Sequence, residues 1–123
     1  MADAAKMRGA QPIFVTPVSS IACMGNTAYA TRGSYATATK QAATQDSVPL
    51  LDLETLSVAL YNSSAFCPLP DGETDVSDAT PGPVGAFFCD DHTHFETTGA
   101  IQIAGLVATA VRNQAFGLAS YLK

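Results

Sequence analysis

Residues 87–100, FFCDDHTHFETTGA, bring Asp90, Asp91, His92 and His94 together between an apolar run and the start of a helix, and both histidines of the chain lie there. An Asp three residues before a His has a mechanical use. In a tightly turned loop the carboxylate reaches one imidazole nitrogen, and the other nitrogen is left to take a proton from a nucleophile as a general base. A helix start just downstream disfavours an imidazolium by ~0.3–1 kcal/mol. An adjacent buried carboxylate stabilises it by roughly one to three pKa units, or ~1.4–4 kcal/mol. The carboxylate wins, so a His at position 94 stays a competent base. Taken alone, the Asp-x-x-His spacing is unspecific, and two other uses are open. The stretch can be a solvated polar loop that caps a helix. His92 and His94 with Asp90 or Asp91 can also offer nitrogen and oxygen ligands to a metal, although no further ligand cluster lies elsewhere in the sequence.

The elements that must position these residues alternate. Residues 2–8 read as the last turns of a helix closed by Gly9, too short to stand alone when isolated helices need about 12–15 residues, as if the domain continued upstream. PIFVTP, residues 12–17, is a short apolar run bracketed by prolines and reads as a buried parallel strand. Residues 18–33 read as a loop containing Cys23, Gly25, Asn26 and Gly33. A helix is expected over 35–45, and VPLLDL from Val48 is a second strand. LETLSVALYNS is a second long helix with Leu53, Leu56, Leu60 and Tyr61 on its inner face. Residues 68–85 hold four prolines, three glycines and four acids, the composition of a long loop, and such loops in compact domains are usually functional or mobile. The final helix, about 98–114, places Ala100, Ile103, Ala104, Val107, Ala108 and Val111 on one face. Strands alternating with helices imply an α/β fold with a parallel sheet. Two strands are too few for such a sheet with both faces covered, so the chain is expected to be the C-terminal half of a larger domain.

Composition narrows the function. The chain has 123 residues and a net charge of −5, with its six basic residues scattered. Nucleic acid is therefore not an expected partner, because phosphate binding needs a surplus of Lys and Arg. No apolar run reaches the roughly 20 residues of a membrane helix, and the first residues do not have the build of a signal peptide.

The stretch CDDHTHFETTGAIQIAGLVATAVRNQ resembles the C-terminal block of SGNH (GDSL-like) hydrolases, especially the rhamnogalacturonan acetylesterase-like branch. In that block an Asp-x-x-His precedes a helix containing Gly-Ala. MRGAQPIFVTPV, TRGSYATATKQAA and VPLLDLETLSVALYN are similar to the preceding helix end and strand and to the following helix, strand and helix, so nearly the whole chain is covered. The resemblance implies a flavodoxin-like three-layer SGNH hydrolase fold, of which residues 1–123 are the C-terminal part. It implies that Asp91 is the triad acid and His94 the triad base, with no triad role for His92. No cofactor is required. The family's nucleophile block, a GDS triplet, is absent here, as are the Gly and Asn blocks of the oxyanion hole. Gly25-Asn26 follows the strand where the family has a variable loop, and Ser34 begins a helix without the strand that a nucleophile elbow needs.

The expected activity is therefore serine ester hydrolysis, removing an O-acetyl group from a cell-wall polysaccharide or another small ester, with this chain supplying the Asp-His pair and inactive by itself. The alternative is a non-catalytic remnant or carbohydrate-binding relic of such an esterase. The family is mostly exported, which implies an extracellular or periplasmic location and stable disulfides. Cys67 and Cys89 flank the acidic loop, and a bridge between them would stabilise by roughly 3 kcal/mol through loop closure. Two buried thiols are the other reading. Cys23 would then be free or paired outside the chain. Tyr35, Phe87 and Phe88 are expected in the core, and Asp52 is expected to cap the helix that follows it.

Overall fold

A computed structural model describes residues 2–69 and 82–122. Its elements are α1 (Ala2–Met7), β1 (Phe14–Val15), β2 (Cys23–Met24), β3 (Thr27–Ala28), α2 (Gly33–Gln45), β4 (Leu50–Leu51), α3 (Leu53–Ser63), α4 (Gly82–Phe87) and α5 (Thr97–Asn113), with a final 3-10 turn at Gly117–Tyr121. β1 and β4 pair in parallel, Phe14 opposite Leu50 and Val15 opposite Leu51. Helix α2 lies between them in the chain, so the unit is a short βαβ crossover and the protein is α/β. None of the helices among the described residues is long and apolar enough to cross a membrane.

The strands are shorter than the apolar runs that form them. Phe14 N–H donates to Pro49 O (2.9 Å) and Thr16 N–H to Leu51 O (3.0 Å), while Pro12, Pro17 and Pro49 have no N–H to extend the ladder. Val15 is 46% exposed and Ile13 and Phe14 only partly buried, which corrects the expectation of a strand covered on both faces. Among the described residues β4 is the single strand paired with β1.

The segment expected to be a loop over 18–33 contains an antiparallel hairpin, with Cys23 opposite Ala28 and Met24 opposite Thr27. Gly25, at φ 57°, occupies the first position of the two-residue turn, where a positive φ favours glycine. Asn62 of α3 clamps the hairpin: its Oδ1 accepts from Ala28 N–H (2.8 Å) and its Nδ2 donates to Ala28 O (3.2 Å). This docking places Cys23 beside the end of α3, and the disulfide is Cys23–Cys67, with Cα atoms 5.7 Å apart. Cys89 is the free thiol. The expected Cys67–Cys89 bridge is thus replaced, because the hairpin held by Asn62 carries Cys23 to Cys67.

Asp52 caps α3 as expected, its carboxylate accepting from Thr55 N–H (3.3 Å) and Thr55 Oγ1 (2.8 Å). Leu53 and Tyr61 are buried on the inner face, with Leu56 and Leu60 packed against the core. Tyr61 is fully buried, its ring 5.7 Å from Phe87 and 5.2 Å from Phe88, both edge-on. Such pairs add ~0.5–1.5 kcal/mol beyond burial. The Tyr61 hydroxyl donates to Ser19 O (2.7 Å), and burial pushes its pKa up to about 12, against the opposing hydrogen bond with Ser57.

Phe87 and Phe88 are core residues, whereas Tyr35 is 69% exposed on α2 and belongs to neither core nor site. Of the expected loop over 68–85, residues 70–81 lie outside the described residues and 82–85 are helical, the start of α4. Helix α4 also rotates the inner face of α5. Gly99, Ile103, Ala110 and Val111 are buried, whereas Ala100 and Ala104 are exposed. The turn of the helix follows from Gly99, where an added Cβ would lie 2.9 Å from Phe87 Cδ1. Absence of a side chain there lets α5 approach α4 closely.

Candidate active site

The two ends of the Asp-His loop are gripped by the aromatic core. Phe88 and Phe95 form an isolated antiparallel bridge, their rings lie 5.5 Å apart, and Phe95 meets Phe87 edge-on at 5.7 Å. Within that clasp Cys89 N–H donates to His94 O (2.9 Å) and His92 N–H to Cys89 O (2.9 Å), while Glu96 N–H donates to Phe87 O (3.0 Å). An apolar pair flanking a polar turn therefore shapes the loop before any catalytic contact is considered.

At the tip, Asp91 Oδ1 accepts from Thr93 N–H (2.9 Å) and His94 N–H (2.8 Å). Asp91 Oδ2 faces His94 Nδ1 in a direct hydrogen bond. An Asp side chain that bonds the backbone two and three residues ahead is what turns the loop tightly enough for the imidazole to fold back onto the carboxylate. The His94 side chain, then the His94 and Thr93 N–H groups, lower the Asp91 pKa to about 2 from 3.8, against a small desolvation effect. Because a carboxylate accepts, the neutral His94 ring carries its proton on Nδ1 and leaves Nε2 to receive another. The structure thus brings together the two residues singled out from sequence, in the orientation a base and its carboxylate partner need.

The environment is wetter than expected. The Asp91 and His94 side chains are 43% and 78% exposed, so the buried carboxylate assumed from sequence is in fact at the surface, where water screens the pair. His94 also precedes α5 by three residues, beyond the first turn in which the helix dipole acts.

His92 goes the other way. It is 4% exposed, adopts a left-handed φ of 51°, and its carbonyl accepts from Ile21 N–H (3.1 Å). Left-handed backbone costs about 1–2 kcal/mol for a residue other than Gly, offset here by burial and by that tether. The inward His92 and outward His94 do not share a face, and no group of three His, Cys, Asp or Glu among the described residues could hold a metal ion.

Two residues that sequence reasoning did not place in the site, Ser20 and Arg32, stand under the loop. Ser20 Oγ lies 3.2 Å from Thr93 Oγ1, and Arg32 Nη2 donates to Ser20 Oγ (2.8 Å). The available signal was positional: Ser20 follows β1 on the side of the sheet where parallel strands end, the usual place for ligand sites in α/β folds. Ser19 is fully buried, its hydroxyl bonded to Ser20 O and Thr31, and Ser34 is exposed near the start of α2. A cleft of about 490 Å³ lined by Lys6, Gln11, Ile13, Ser47 and Phe116 lies at the opposite end of the strands and takes no part in this site.

No family model, curated protein or solved structure matches the chain. What the site offers is the pair itself: an exposed imidazole, oriented by a charged carboxylate, on a loop pinned at both ends.

Proposed function

We propose that Asp91 and His94 are the acid and base of an SGNH-type serine ester hydrolase, within a flavodoxin-like domain of which these residues form the C-terminal part. The observation that carries this is the Asp91–His94 contact, with Nδ1 committed to the carboxylate and the ring otherwise open to solvent. In the reaction, Nε2 takes the proton of a serine hydroxyl as it attacks the ester carbonyl. The imidazolium returns that proton to the departing alcohol, and water activated in the same way releases the acid. The substrate is an O-acetylated cell-wall polysaccharide or a small ester. The Cys23–Cys67 disulfide suits an extracellular or periplasmic setting.

The serine comes from outside these residues. Ser19 is locked in the core, Ser20 is engaged by Arg32 and Thr93, and Ser34 sits near the start of α2. The same observations favour a second reading, in which the chain is a non-catalytic relic of an esterase. The two are separated by assaying 4-nitrophenyl acetate and an acetylated polysaccharide with the chain alone and with the chain joined to a GDS-bearing N-terminal half. Alone, the chain should be no faster than free imidazole. Acetate release by the joined form supports the esterase, and persistent inactivity supports the relic. An acyl group trapped on Ser19, Ser20 or Ser34 in the chain alone would refute the proposal that the nucleophile is supplied from elsewhere.

A further inference from the structure

An exposed Asp-His pair has a weakness. Water competes for each of its hydrogen bonds, so the turn that aligns the two residues must be held from beneath. Two tethers do so, both from the segment between β1 and α2. Ile21 N–H donates to His92 O (3.1 Å). The second tether runs through side chains. Glu54, 5% exposed, accepts from the backbone N–H of Arg32 (2.9 Å), which fixes the point from which the guanidinium reaches out. Arg32 Nη2 donates to Ser20 Oγ at 2.8 Å, Ser20 Oγ pairs with Thr93 Oγ1 at 3.2 Å, and Thr93 N–H donates to Asp91 Oδ1 at 2.9 Å.

We propose that Ser20, oriented by Arg32, is a positioning residue for the Asp91–His94 pair and acts through Thr93. This assignment rests on Asp91 and His94 being the acid and base. The charged donor on Ser20 occupies one lone pair of its oxygen, so the hydroxyl proton is directed to Thr93 or a second lone pair receives the proton of Thr93. A hydrogen bond with a charged donor is roughly twice as strong as a neutral one and polarises the next bond in the chain. Thr93 sits between Asp91 and His94, and holding its side chain holds the N–H that Asp91 Oδ1 needs. Ser20 is 73 residues away in sequence from Thr93, so the contact exists only in the folded protein.

The test is the tautomer of His94, read by long-range 1H–15N spectroscopy on the full chain at a pH where the ring is neutral, with the two histidines assigned through His94→Gln. In the wild type the Nδ1–H form should dominate. In Ser20→Ala, and independently in Arg32→Met, which keeps an apolar stem, the Nε2–H form should become the majority, and Ser20→Thr should restore the wild-type spectrum. A role confined to general stability would lower Tm while leaving the tautomer of the folded fraction untouched. Retention of Nδ1–H in both folded variants overturns the positioning role. Absence of the Nδ1–H form in the wild type would instead overturn the acid–base pairing on which it rests.

Discussion

Asp91 holds His94 twice, with one carboxylate oxygen on the imidazole Nδ1 and the other on the His94 backbone N–H. The side chain and the backbone of the base are thus oriented by one residue three positions earlier. The chelate-like arrangement explains how a surface loop can present an imidazole in one defined direction without a buried partner.

The first expectation separates the histidines in the form completed by a serine. His94→Ala should lower kcat by roughly four to six orders of magnitude, because the proton acceptor is gone. Asp91→Ala should fall close behind. His92→Ala should leave chemistry largely intact but reduce stability by about 1–3 kcal/mol, since it empties a buried site. A metal site would make both histidines matter equally and render activity sensitive to chelator, so the three variants assayed with and without chelator decide between these outcomes.

The Asp91 carboxyl offers a pH signature. Its folded pKa, about 2, lies below the ordinary 3.8, so folding favours the charged form. Its contribution to stability is fully present above about pH 3.8 and is lost as pH falls through about 2. Carbon-13 titration of the carboxyl should show the low midpoint, and His94→Gln should raise it, because the His94 side chain is the largest cause of the shift. A wild-type midpoint near 3.8 would mean that the contacts around Asp91 do not form in solution.

Peptide mapping under non-reducing conditions should recover Cys23 linked to Cys67 and Cys89 free. With 44 residues of separation, loss of the bridge in Cys23→Ala should cost about 4 kcal/mol by loop-closure entropy. Since the hairpin adjoins Ile21 and Ser20, the same variant should also broaden the His94 resonances. A recovered Cys67–Cys89 peptide would contradict the placement of the hairpin.

Two glycines of α5 should respond with opposite signs. At Gly105 an added Cβ meets nothing within 4 Å, and Gly105→Ala should stabilise by about 0.4–1 kcal/mol through helix propensity and a less flexible unfolded chain. At Gly99 the Cβ would collide with the Phe87 carbonyl oxygen and press on the Phe87 ring at 2.9 Å. Overpacking of that kind costs about 1–3 kcal/mol, outweighing the propensity gain. Urea denaturation of both variants measures the contrast, and equal gains would show that α4 and α5 do not meet at Gly99.

Local pattern was enough for the parts whose physics is local. The proline-bracketed run around Phe14, the apolar run around Leu50, the period of α3 and the Asp52 cap are all legible from neighbouring residue types. So is the Asp91–His94 pair, because a short side chain bonding its own backbone two and three residues on depends only on spacing. Tertiary structure decided what depends on distant partners. It buried His92 and exposed His94, two residues of one type two positions apart, because the His92 carbonyl is tied to Ile21. It matched Cys23 with Cys67 through the hold of Asn62 on a hairpin, turned α5 about Gly99 to meet Phe87, and set Ser20 and Arg32 beneath Thr93. Sequence periodicity cannot report such contacts, because their partners are chosen by how the helices and the hairpin pack.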